Sequence, residues 1–178
     1  MRSTIRQQNF QRGFNLIELG LVLLIISFSG YFAYSKFTEY SESVLSAEEA
    51  DNITQYASKT KTAYAMDSDF SHVNTAGLRT TGIFPNSMVQ GTNVLNRYQG
   101  VVTVVPNAIT SSNDSVLFTS TNYTEAGCRA VVPRMAFIAR TVFVNGKLVK
   151  PLDLPLVRDT LGEACTVAAN TISFTVSK

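Results

Sequence analysis

Glu18 stands at the edge of a long apolar segment, and its carboxylate is the group whose chemistry most needs an explanation. Residues 19–35 are 17 uncharged side chains in a row, and Glu18 directly precedes them. A charged group within a bilayer costs about 2.5–3.5 kcal/mol at the centre and less near an end. Two interpretations are open: Glu18 lies at the membrane surface, or it needs a cationic partner that arrives later.

The chain is poor in the residues that catalysis and metal binding use. It has one histidine, His72, and two cysteines, which excludes the usual zinc sites built from several Cys and His ligands. A nucleophile–histidine–acid arrangement cannot be built around one histidine in a polar loop. Asp67 and Asp69 could imitate paired catalytic carboxylates, but Asp-Ser-Asp is more typical of a helix end. We therefore expect no enzyme activity, no metal and no cofactor.

Cys128 and Cys165 are the two cysteines of the chain. Outside the cytoplasm a disulfide is their expected state. Such a bridge would close a segment of roughly 37 residues and stabilise the fold by about 4 kcal/mol in the chain-entropy account. Two buried free thiols are the alternative. A catalytic thiol is less favoured, because no charged cluster surrounds either cysteine in the sequence.

The apolar segment predicts a membrane-spanning helix. Its 17 residues correspond to roughly 26 Å of helix, close to the ~30 Å hydrocarbon core. The arginines Arg2, Arg6 and Arg12 precede it, which places the N-terminus in the cytoplasm and the residues after Lys36 outside. A cleaved secretory signal is the alternative. Retention is favoured because the segment is long, is rich in aromatic residues, and continues as a helix without a break.

The continuation of this helix is amphipathic. One set of residues recurs every three or four positions, as one face of a helix does. That set is Phe37, Tyr40, Val44, Ala47, Ala50, Ile53, Ala57, Thr60 and Tyr64. The opposite face is expected to carry Glu39, Glu42, Glu48, Glu49, Asp51, Lys59 and Lys61. The pattern ends at residues 67–69, so one helix of roughly fifty residues is predicted, apolar all round and then amphipathic.

The second half of the chain has β-strand patterns. Residues 70–100 predict a long, partly structured connection with scattered apolar anchors. Strand candidates follow at 101–105, 115–120 and 171–176, and Asn145-Gly146 predicts a hairpin over 140–149. A short helix is expected from Glu125, interrupted at Pro133, and residues 157–164 are ambiguous. The predicted fold class is α+β, with the amphipathic half-helix packed on a mostly antiparallel sheet.

The segment Gly13-Phe14-Asn15-Leu16-Ile17-Glu18 after a short basic leader resembles the processing site of a type IV prepilin. The resemblance implies cleavage between Gly13 and Phe14 by a prepilin peptidase and N-methylation of Phe14. It also implies that Glu18 pairs with the new amine of Phe14 on a neighbouring subunit. The expected divisions are a leader (1–13), a membrane and filament-core helix (14–35), its amphipathic continuation (36–67), and a β-rich head (68–178). The head's C-terminal region is expected to be stapled by Cys128–Cys165.

Later segments resemble the type IVb branch of enteric pathogens and conjugative plasmids. They are 82–88, 96–104, Cys128 and 172–176. The implied function is a structural pilus subunit that polymerises with itself into a surface filament for adhesion, aggregation or mating contact. The implied partners are the peptidase, inner-membrane assembly machinery, and lipid before assembly. A minor pilin, a type II secretion pseudopilin, or an uncleaved membrane-tethered binding domain are the alternatives.

Charge is distributed unevenly along the chain. Without the leader it carries 12 basic and 13 acidic side chains, so no nucleic-acid partner is indicated. Residues 36–124 have a net charge of −3 and residues 125–178 of +3. One hypothesis is that the acidic helical side of one head meets the basic side of the next, through Arg134, Arg140 or Arg158. A chance imbalance on a solvated surface is the alternative.

Overall fold

The computed structural model of the protein describes residues 16–178. Its first element is helix α1, Leu16–Ala63, of 48 residues, which confirms the prediction of one long helix. The chain divides into two compact units, with the boundary between Tyr40 and Ser41. Every described residue of the first unit, 16–40, is exposed. Three turn residues follow the helix end at Ala63, a few positions before the predicted end at 67–69.

The second unit contains a five-stranded antiparallel sheet. The strands of the unit are β1 (Val89–Gln90), β2 (Asn93–Val94), β3 (Val102–Asn107), β4 (Ser115–Tyr123), β5 (Thr141–Val144), β6 (Lys147–Lys150) and β7 (Asn170–Ser177). The sheet has the order β3-β4-β7-β5-β6, and β1 pairs with β2 in a separate short hairpin. The C-terminal strand, predicted from its alternation, therefore lies in the middle of the sheet, where both of its edges are paired.

The shorter helices lie around this sheet. They are α2 (Thr75–Thr80), a 3-10 turn (Asn86–Met88), α3 (Glu125–Met135) and α4 (Arg158–Ala164). α4 resolves the ambiguous segment as helix. α3 corrects one prediction, because it continues through Pro133. Proline removes one N–H bond near the helix end, while Ala136 N still donates to Val132 O at 3.0 Å and both Val132 and Met135 are buried.

The core lies between the second part of α1 and one face of the sheet. Tyr56 is fully buried, and its ring centroid lies 5.1 Å from those of Phe84 and Phe118 and 6.3 Å from that of Phe174. The rings of Phe118 and Phe174 stack at 5.1 Å across β4 and β7. Aromatic pairs at these separations stabilise a core beyond their area burial. The expected α+β arrangement is confirmed.

The buried face of α1 differs from the predicted stripe. Its buried residues are Ser46, Glu49, Ala50, Ile53, Tyr56, Ala57 and Thr60. The prediction was correct from Ala50 to Thr60, but Phe37, Tyr40 and Val44 are exposed. It was wrong for Glu49, which was placed on the solvated face. The helical period correctly predicted which side of α1 is buried from Ala50 onwards. Glu49 was assigned to the solvated side because it is charged, although its position in the period places it on the buried side.

The connection over residues 70–100 is more ordered than its composition predicts. Five of its seven predicted anchors are buried and the other two, Val89 and Leu95, are partly buried; the five are Leu78, Ile83, Phe84, Met88 and Val94. Helix α2 begins at an N-cap, where Asn74 Oδ1 accepts from Gly77 N at 2.8 Å. Capping by an asparagine satisfies one of the free N–H groups at a helix start.

The hairpin β5–β6 forms as Asn145-Gly146 predicts. Both turn residues have positive φ, 51° at Asn145 and 80° at Gly146, which a tight two-residue turn requires. Asn145 also binds the end of the neighbouring segment, because its Nδ2 donates to Ala164 O at 2.9 Å. The hairpin is thus held at the same place as the end of α4.

Both outer edges of the sheet carry bonds to segments that are not strands. On the β3 edge, Val104 N donates to Thr75 Oγ1 at 2.8 Å. On the β6 edge, Val157 N donates to Val149 O at 2.9 Å. Edge strands with free N–H and C=O groups invite pairing with other chains. These bonds occupy part of each edge, which disfavours association by strand addition.

Candidate assembly helix and internal carboxylates

The beginning of α1 presents a large apolar surface with one acid. Glu18 lies in the first turn of α1, and Gly13 and Phe14 lie outside the described residues. Large apolar side chains from Leu16 to Ile26 are exposed by between 38% and 86%. A soluble monomer rarely exposes an apolar surface of this extent. Among residues 16–178, α1 is the helix long and apolar enough to cross a membrane. Its first part therefore needs lipid or other copies of the helix around it.

Glu49 is a buried carboxylate that the sequence pattern had placed on the solvated face of α1. Its side chain is fully buried. Tyr123 Oη donates to Glu49 Oε1 at 2.8 Å, and Arg97 N donates to Oε2 at 2.9 Å. Burial raises the pKa of Glu49, and these two hydrogen bonds oppose the rise. The position of Glu49 four residues before Ile53 was the signal that it belongs to the buried face.

Glu42 makes a second internal contact two helical turns earlier. Its Oε1 accepts from Tyr98 Oη at 3.0 Å and from Thr124 Oγ1 at 2.7 Å. Thr124 is also the N-cap of α3, where its Oγ1 accepts from Gly127 N at 2.9 Å. Burial, and then the bond to Glu42, raise the pKa of Tyr98 well above its usual range. One carboxylate thus joins α1, the residues before β3 and the start of α3.

The partner of these carboxylates is the turn formed by residues 96–100. Asn96 Oδ1 accepts from Tyr98 N at 2.9 Å and from Gly100 N at 2.7 Å, which closes the turn. Asn96 Nδ2 donates to Thr121 O at 2.6 Å and ties the turn to β4. Gly100 has no room for a side chain, because a Cβ there would lie 1.8 Å from Thr121 O. Arg97 completes the contact through an ion pair of 3.0 Å with Glu48.

These contacts limit the proposed charge complementarity between subunits. Within the described residues, Glu42, Glu48 and Glu49 bind inside their own chain, and Glu39 pairs with Lys36 at 2.8 Å. On the basic side, Arg140 pairs with Asp153 at 3.0 Å. Arg134 and Arg158 are exposed. Any attraction between heads is therefore expected to depend on these two arginines more than on Arg140.

The disulfide lies between two helices of the second unit. Cys128 in α3 is bonded to Cys165, which directly follows α4, and both are fully buried. Their Cα atoms are 5.8 Å apart, within the usual range for a bridge. The segment that it bounds contains β5, β6 and α4. The bridge thus fixes the C-terminal region of the head, as the resemblance implied.

Asp69 and His72, the remaining residues considered for catalysis, lie in the loop that follows α1. Asp69 Oδ1 accepts from Ser71 N at 2.9 Å, and hydrogen bonding from Ser71, by its side chain first and its backbone second, lowers the pKa of Asp69. That contact is typical of a turn after a helix. His72 is exposed in the same loop. Across residues 16–178, no three His, Cys, Asp or Glu side chains are grouped as metal ligands would be.

Known proteins similar to this chain agree with its fold. The sequence profile of the family described as PilS N terminal matches residues 44–177. The chain belongs to the PilS family of type IVb pilins. This pilin is therefore a structural subunit of a pilus. No curated protein matches it significantly.

Two solved structures share the architecture of the pilin. A type IVb pilin from Salmonella typhi is 18% identical, with a TM-score of 0.58 over 74% of this chain and 99% of that one. TcpA, a type IV pilin from Vibrio cholerae El Tor biotype, is 16% identical, with a TM-score of 0.53 over 77% of this chain and 99% of that one. At these identities the likeness concerns the fold, which is a long helix on an antiparallel sheet.

Proposed function

We propose that this pilin is made as a precursor, cut between Gly13 and Phe14, and polymerised through α1 into a surface filament. The observation that carries the proposal is the exposed apolar helix with Glu18 in its first turn. Cleavage gives Phe14 a positive α-amino group, N-methylated in the mature subunit. In an apolar surrounding, an unpaired carboxylate is costly and a paired one much less so. Pairing of Glu18 with the amine of a neighbour would fix the register of the helices.

The pathway to the filament includes a membrane stage. Arg2, Arg6 and Arg12 support insertion into the inner membrane with the N-terminus in the cytoplasm. The prepilin peptidase would act at the cytoplasmic face, and assembly machinery would extract the subunit from the lipid. The filament would then serve adhesion, aggregation or mating contact. The same helix would also suit a minor pilin or a type II secretion pseudopilin, which would contribute few copies to sheared surface fractions.

Intact-mass measurement of the chain from cells tests the cleavage. We expect a mature subunit that begins at N-methylated Phe14. Gly13→Val should block maturation, because a branched side chain would obstruct the peptide at the scissile bond, whereas Gly13→Ala should allow some cleavage. Recovery of chains that begin at Met1 would favour an uncleaved tether instead.

Filament yield from Glu18→Ala tests the pairing. The variant should insert and be cleaved normally, because the change removes a polar group from the apolar segment, but it should yield few filaments. Glu39→Ala is the matched control, since Glu39 is an exposed acid on the same helix. Abundant filaments from Glu18→Ala, or an equal loss from both variants, would contradict the assigned role of Glu18.

A further inference from the structure

Six aromatic side chains occupy a short part of the first unit. They are Phe28, Tyr31, Phe32, Tyr34, Phe37 and Tyr40, and their exposed fractions lie between 54% and 71%. Among the described residues of this unit they are all the aromatic residues present. They begin inside the apolar segment and extend past its end.

The six rings surround the helix rather than forming a stripe. Successive residues of an α-helix are rotated by about 100°. With Phe28 at zero, Phe32 lies at about 40°, Tyr40 at 120°, Phe37 at 180°, Tyr34 at 240° and Tyr31 at 300°. No gap exceeds about 80°, whereas a helix that packs on one protein surface shows an apolar stripe somewhat over 100° wide. A complete ring suits a surrounding that is the same on every side.

The order of side chains along the axis follows the polarity of a membrane boundary. Residues 19–28 are apolar apart from Ser27, the tyrosines Tyr31 and Tyr34 follow, and the ion pair of Lys36 with Glu39 lies beyond them. Tyrosine has an apolar ring and a polar hydroxyl, and it is enriched where hydrocarbon meets headgroups. Between Phe28 and Tyr40 the side chains of the helix therefore change from ones that suit the hydrocarbon core to ones that suit the lipid headgroups.

We propose that residues 28–40 form an aromatic collar that binds the lipid headgroup boundary and fixes the depth of the unassembled subunit in the bilayer. This inference requires one part of the proposed function, which is that the subunit lies in a membrane before it assembles. Glu18 lies 16 residues before Tyr34, or about 24 Å along the axis. In a hydrocarbon core of ~30 Å, a collar held at one boundary leaves Glu18 about 6 Å short of the other. The collar thus holds the acid inside the apolar layer, where only a partner charge relieves its cost.

A tryptophan reporter tests the depth of the collar. The chain contains no tryptophan, so a single Tyr34→Trp substitution gives an unambiguous signal. The full chain would be reconstituted at low protein-to-lipid ratio in phosphatidylcholine vesicles brominated at either shallow or deep acyl positions. We expect the shallow bromines to quench Trp at position 34 more strongly. Leu24→Trp is the control, because it lies about 15 Å further along the axis and should be quenched more by the deep bromines.

The role of the tyrosines in setting the depth has its own measurement. Replacing Tyr31, Tyr34 and Tyr40 together by leucine in the Leu24→Trp chain should reduce deep quenching, because the helix can then slide until Glu18 reaches headgroups. Unchanged quenching would show that the collar does not set the depth. Stronger deep than shallow quenching of Trp at position 34, or no quenching because a second copy covers it, would overturn the inference. These vesicles need neither cleavage nor assembly machinery, so failure here leaves the polymerisation proposal standing.

Discussion

Replacing the buried Glu49 tests whether the internal carboxylates hold the head together. Glu49→Ala removes the acceptor of Arg97 N and of Tyr123 Oη, which lie 2.9 and 2.8 Å from it. A buried donor left without a partner costs about 1–3 kcal/mol. Tyr123 retains a bond of 2.8 Å to Ser120 Oγ, so its loss is partial. We expect the free energy of unfolding to fall by about 2–4 kcal/mol.

Glu49→Gln separates the charge of this side chain from its shape. The amide oxygen can accept from Arg97 N, and the amide nitrogen can donate to Tyr123 Oη, whose hydroxyl then donates to Ser120. Arg97 N and the Tyr123 hydroxyl both keep a partner and the Ser120 hydroxyl proton is the one displaced, so this variant should lose only about 1 kcal/mol. The comparison shows whether hydrogen bonding or ionisation is the stabilising property of Glu49.

The free energies of unfolding of the native chain and of Glu49→Gln should depend differently on pH. Burial raises the pKa of Glu49 above its ordinary value of 4.5 in the folded chain. The folded chain then holds the proton more tightly than the unfolded chain. This contribution to stability is fully present below pH 4.5 and is lost as the pH rises through the raised pKa. Glu49→Gln has no such proton, so the stability of the native chain minus that of the variant should fall as the pH rises.

Urea unfolding of the full chain in detergent, followed by circular dichroism, provides the measurement at several pH values. Glu48→Ala is the control, because Glu48 is half exposed and its ion pair with Arg97 is worth at most about 1 kcal/mol. A loss below about 0.5 kcal/mol in Glu49→Ala would refute the assigned hydrogen bonds. A difference between Glu49→Gln and the native chain that is equal at every pH would refute the raised pKa.

Two further changes test the packing of the head. Gly100→Ala should destabilise the fold by more than about 2 kcal/mol in the same unfolding measurement, because its Cβ would overlap Thr121 O. The control is Gly162→Ala, which lies in α4 with open space around it and should be neutral or stabilising. Equal effects of the two substitutions would contradict the close approach of Gly100 to Thr121. Replacing Cys128 and Cys165 together by alanine should cost about 4 kcal/mol, from the 37-residue separation that the bridge closes, and an unchanged urea midpoint would show that the bridge does not constrain the unfolded chain.

Local patterns predicted much of the fold. The uninterrupted helical period gave α1, Asn145-Gly146 gave the β5–β6 hairpin, and the alternation of residues 171–176 gave β7. Pro133 was misread because its local preference was weighed without the buried residues on either side of it. Of the candidate site, Glu18 was located by its place before the apolar segment, while Gly13 and Phe14 remain predictions outside the described residues.

The sequence by itself determined which parts of the chain are apolar, which are periodic and where the chain must turn, because these properties depend on neighbours a few residues apart. Tertiary structure alone decided that the last strand lies mid-sheet and that Glu49 is an internal acceptor. Its partners Arg97 and Tyr123 are 48 and 74 residues away in the chain. A buried acid is stable only where folding brings hydrogen-bond donors to it. Donors this distant in the chain leave no trace in the local spacing of residues, so the sequence pattern could not identify them.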